Sequence, residues 1–165
     1  MSDRNLHVLR ELVAEAWQRV NKMYEQVDEA MRKKNEAYEN EIQAQNEEVK
    51  YRKHISDKET KLMELKEDAR FPHDQELQAL ARQLDSDLLQ DMEKYDHARA
   101  MHEETVRAHE HASMTERKAW EALDYARQIR RDHENKLVRL ESLLRATRSA
   151  PLRFPSMRTL HLLPS

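Results

Sequence analysis

The chain has 165 residues, 37% of them charged and 5% aromatic, with a mean hydropathy of −1.06 and a formal charge of −3. It contains neither glycine nor cysteine. That excludes disulfides, thiol chemistry and the glycine-dependent phosphate loops of P-loop and dinucleotide-binding folds.

From Leu6 to Ala69 the chain keeps a seven-residue register. Positions 6, 13, 20, 27, 34, 41, 48, 55, 62 and 69 read Leu, Val, Val, Val, Lys, Glu, Glu, Ile, Leu, Ala, and those three residues further on are mostly apolar or small. These are the a and d positions of a heptad, whose 3.5-residue repeat makes helices wind around each other. A second series starts at Leu77 and runs through Ala81, Leu84 and Leu88 to Leu144, out of phase with the first. Between them stands Arg70-Phe71-Pro72-His73-Asp74. Proline breaks the helix ladder and disfavours helical geometry in the residue before it, and Asp74 is suited to cap a new helix. A proline-kinked continuous helix is the alternative, because helix reversals often use a left-handed glycine that this chain lacks.

Folding the chain back near residue 73 sets a against d in every layer, with pairs such as Leu6–Leu140, Val20–Ala126, Met23–Leu123 and Leu62–Leu84. Lys34 then falls one layer from Glu116, Lys58 one layer from Asp91, and Glu41 between His102 and His109. The expected fold is therefore all-α, a long two-helix antiparallel coiled-coil hairpin over 1–148. Arm one covers about 3–70 and arm two about 74–146, with the turn near 70–75. The middle layers hold Ala, Lys, Glu, Thr and His, so they bury little apolar area. Either that segment breathes, or another helix, a second copy or another protein covers it.

Beside the seam, the e positions read Trp17, Tyr24, Met31 and Tyr38 on arm one and include Met92, Val106 and Trp120 on arm two. The hairpin places Tyr24 near Trp120, Tyr38 near Val106 and Trp17 near Arg127. Tryptophan and tyrosine are enriched at binding hot spots, so Trp17, Tyr24, Met31, Tyr38, Val106 and Trp120 form a candidate partner-binding strip. The plainer reading is that these side chains roof their own thin seam.

Residues 149–165 form an expected extended or disordered tail, stopped from being helical by Pro151, Pro155 and Pro164. Residues 145–165 carry Arg145, Arg148, Arg153 and Arg158 with no acid, a local +4 that leaves −7 on residues 1–144. Phe154, Leu160, Leu162 and Leu163 make this basic tail apolar as well, a second candidate docking element.

No catalytic, cofactor or metal site is expected. Two helices alone offer no dry concave pocket. His133-Glu134 begins a metalloprotease helix pattern, but Leu137 stands where its second histidine belongs. No histidine has an acid three residues before it, as di-iron bundles require. His102 and His109 share a face but lie roughly 10 Å apart along a helix, too far for one zinc. They serve either as register-setting polar residues or as a pH-sensitive pair.

The basic runs Arg32-Lys33-Lys34 and 127–131 are bracketed by Glu29, Glu36, Asp124 and Asp132, so nucleic acid is not the expected partner. The first twenty residues include Asp3, Arg4, Arg10, Glu11, Glu15 and Arg19, which gives no secretory signal, and no stretch is long enough to span a membrane. The expected protein is a non-enzymatic structural or adaptor coiled coil. It spaces or bridges components of a larger assembly, in the cytoplasm or on the cytoskeleton. A hairpin of this length without catalytic residues resembles, in architecture alone, the stalk proteins of flagellar and type III secretion export ATPases, which implies a regulatory role on a motor as one alternative. A homo-oligomeric filament or bundle former is the other.

Overall fold

The computed structural model describes residues 2–149, and its backbone is two helices: α1, Ser2–Glu67, and α2, Gln75–Ser149. They pack against each other as a helical hairpin, with no strand among the described residues. Both helices extend slightly beyond their expected outer ends, and α1 stops three residues earlier than expected at the turn. The tail residues Phe154, Leu160, Leu162 and Leu163 lie outside the described residues.

The heptad register is written directly in the burial. Between Asp3 and Glu67, every a and d residue is buried or half-buried, and Leu12 is the one other residue that is. On α2 all twenty a and d positions from Leu77 to Leu144 are likewise covered. The half-buried residues added on α2 fall mostly at e, namely Gln78, Val106, Ser113, Arg127, Glu134 and Glu141. The seam is thus roofed along one flank by α2.

The reversal occupies residues 68–74 and uses no residue with positive φ. It is built from consecutive tight turns instead. Asp68 N–H donates to the Leu65 carbonyl (3.3 Å), Phe71 N–H to Asp68 (3.0 Å) and His73 N–H to Arg70 (3.0 Å). The Asp68 carboxylate accepts from the Arg70 amide at 2.9 Å and from its guanidinium. Asp74 caps α2 as expected, its Oδ1 accepting from the amides of Glu76 (3.0 Å) and Leu77 (3.4 Å). The Gln78 side-chain amide donates to the Phe71 and Pro72 carbonyls, satisfying acceptors the turn would otherwise leave to solvent. Spreading the reversal over seven residues is what removes the need for glycine.

The chain divides into two compact units. One comprises the described residues up to Tyr24 and from Ala122 on; the other is Glu25–Glu121. In the first, Val20 and Leu123 are fully buried, with Ala16 and Ala126 beside them. Burying a Val or Leu side chain of this kind contributes about 1.5–3 kcal/mol. In the second, Val27, Ala30, Ala81 and Ala98 are buried, together with one charged residue, Asp91.

Candidate interaction flank and polar seam

The Glu25–Glu121 unit carries four polar layers across its seam, two lysine–carboxylate ion pairs and two histidine–carboxylate contacts. Lys34 Nζ meets Glu116 at 3.1 Å, His109 Nδ1 meets Glu41 at 2.5 Å, His102 Nδ1 meets Glu48 at 2.5 Å, and Lys58 Nζ meets Asp91 at 2.5 Å. Glu41 therefore takes His109 alone, and His102 is taken by Glu48, an a-position acid given no partner in the sequence reading. Each contact lies three or four residues beyond the position directly opposite in a fold-back about residue 73. The cause is side-chain direction. Cα–Cβ bonds tilt toward the helix N-terminus, so in an antiparallel pair both side chains lean away from the level of their own Cα.

The same lean corrects the flank. In the first unit, Trp17 does not meet Arg127. Its indole N–H donates to Glu134 Oε1 at 2.8 Å, and the Arg130 guanidinium lies 4.2 Å from the ring centroid. Arg127 instead covers the Tyr24 ring at 4.9 Å and donates to the Tyr24 hydroxyl, a bond that holds the arginine above its ordinary pKa. A cation over an aromatic face is attracted by the ring quadrupole, so these two rings clasp α1 to α2. They roof the seam and still expose about two-fifths of their surface (43% and 40%).

In the second unit, Met31 is exposed to a similar degree and Tyr38 stands more open (52%), its ring tilted against His109 at 5.4 Å. Val106 is half-buried and Trp120 exposed. Ile42, Val49, Met63 and Leu89 are exposed apolar residues at b positions, adjoining e around the helix, and the sequence reading missed them. Ile42 lies four residues after Tyr38, whereas Val49, Met63 and Leu89 follow the polar e residues Gln45, Glu59 and Asp85, so the pattern alone gives them little signal. Of the eleven exposed large hydrophobics in this unit, eight lie at e or b, and only Leu80, Met101 and Met114 lie elsewhere.

On the opposite flank, small Ala44 and Ala98 leave an open groove of about 660 Å³, walled by Tyr51, Met101, Gln43 and Glu47 among others. It is shallow and mostly apolar, fit for a side chain or a helix edge. No cluster of three metal-ligating side chains occurs among the described residues, and no helix there is long and apolar enough to cross a membrane. No family model, curated protein or solved structure matches the chain.

Proposed function

We propose that the chain is a non-enzymatic adaptor, a helical hairpin that links protein components of a larger assembly in the cytoplasm or on the cytoskeleton. The observation that carries this reading is the concentration of exposed apolar side chains on one flank of the Glu25–Glu121 unit. Exposed apolar side chains gathered on one flank are costly in water and mark an interface. In the other unit the comparable rings, Trp17 and Tyr24, keep about two-fifths of their surface exposed beside Arg130 and Arg127, and such residues are enriched at binding hot spots. The basic, apolar tail supplies a further docking element. A stalk acting on an export ATPase draws only on architecture and has no observation of its own here.

The test is purification of native complexes with the wild-type chain, a Met31→Ser/Tyr38→Ser variant, and a chain ending at Ser149. Loss of components from both altered chains, with helix content kept, supports the adaptor. Retention of every component by both overturns it.

A further inference from the structure

Resting on that reading of the flank, a more specific pattern names its occupant. On α1 the residues Met31, Asn35, Tyr38, Ile42, Gln45 and Val49 follow one another at alternating spacings of four and three, the spacing of a coiled-coil seam. All six are exposed and none is charged. This second seam lies about 100° around α1 from the one that faces α2, which is the corner angle of a four-helix bundle. Asp28 precedes it and Arg52 follows it, both exposed at the same spacing.

The order is palindromic about Asn40. Met31 answers Val49, Asn35 answers Gln45, Tyr38 answers Ile42, and Asp28 answers Arg52. An identical helix running the other way therefore meets this seam apolar against apolar, amide against amide and charge against opposite charge. Self-complementarity of that kind is what a two-fold, isologous contact requires.

We infer that a second copy of this chain covers the flank, α1 against α1, antiparallel, across a two-fold axis at the level of Asn40, between Tyr38 and Ile42. The hairpin then brings the two α2 helices together along the same flank. Val106, half-buried in the single hairpin, falls beside the axis, and exposed Met92 comes level with the partner's Trp120. The b positions of α2 there are Asp96, Glu103, Glu110 and Arg117, so this edge is polar and wet, and the α1 edge supplies most of the apolar burial. Glu39, exposed beside the axis, faces its own symmetry mate at the rim, where screened like charges cost little.

The experiment is light scattering with sedimentation equilibrium on the full chain between about 1 and 100 μM, together with distance measurement in this cysteine-free background. The wild type is expected to be a dimer. Ile42→Asp, at a position already 38% exposed on the hairpin, yields a monomer with unchanged helix content. Asp28→Arg and Arg52→Asp each weaken dimerisation by about tenfold, and the two together restore it to within about threefold, since opposite charges again face each other. That rescue separates the intermolecular pair from the bonds Arg52 makes to Glu48 and Tyr95 within the hairpin.

Spin labels on Glu39→Cys are expected under about 20 Å apart between copies, and those on Lys53→Cys roughly 40 Å apart, from the helical rise. A monomer at about 100 μM, a dimer unmoved by Ile42→Asp, or short distances from both labels overturns the inference. A monomer whose Met31→Ser/Tyr38→Ser variant still loses native components overturns the second copy and leaves the adaptor standing.

Discussion

The unit built around Val20 and Leu123 closes its seam mostly with aliphatic side chains, Arg130 and His133 being the exceptions, while Glu25–Glu121 interrupts its own with four polar layers, two of them lysine–carboxylate pairs. The first buries Leu123 and Val20 completely; the second places Lys34, Glu41, Glu48 and Lys58 on α1 at the positions that aliphatic residues fill elsewhere. Apolar burial supplies free energy but accepts many registers, because one leucine layer resembles the next. Ionic layers contribute less net stability after desolvation and are selective about what they face. One unit is organised for strength, the other for alignment.

The largest test of that contrast is Leu123→Ala. A fully buried leucine removed to the β-carbon is expected to cost about 2–4 kcal/mol, read by thermal or urea unfolding and by faster amide exchange around Val20. Next comes the Lys58–Asp91 layer. Lys58→Met leaves the Asp91 carboxylate, 5% exposed, without its cation and is expected to cost about 2 kcal/mol. Lys58→Met combined with Asp91→Leu recovers that loss, because an apolar layer of similar volume replaces the pair. Failure of the double variant to recover would show that the ionic layer itself provides strength.

A smaller, opposite effect is expected in the aliphatic unit. His133 occupies a d position with its ring Nδ1 buried and unbonded, so His133→Leu is expected to stabilise by about 1 kcal/mol in the same unfolding assay. The smallest effect belongs to the turn. Bonds from the Arg70 guanidinium and amide hold the Asp68 carboxyl below its ordinary pKa. A depressed carboxyl pKa contributes stability above the unfolded-state value, and that contribution is lost as pH falls through the folded-state value. NMR titration of Asp68 is expected to show the low value, and Arg70→Ala to move it up toward that of a free aspartate.

Periodicity exposed the seam almost residue by residue, since a and d positions need only counting, and Pro72 with Asp74 marked the reversal. Pairing across the seam was legible to within a turn. The fold-back put Lys34 one layer from Glu116 and Lys58 one layer from Asp91, but it gave Glu41 two histidines and Glu48 none. Backbone counting carries no information about the tilt of Cβ, and that tilt sets which side chains touch. The flank was half legible for another reason. Rings at e announce themselves by type, whereas Ile42 and Val49 at b matter only once burial shows that nothing in the hairpin covers them.

The order of charges along the Glu25–Glu121 seam also bears on register. Sliding α2 by one heptad in one direction would set Glu41 against Glu116 and Lys58 against Ala98; in the other, Lys58 would confront Leu84. Both displacements strand a charge or oppose like charges, so the two helices behave as a keyed joint. The order of charges thus selects one register for this segment out of the heptad-spaced alternatives.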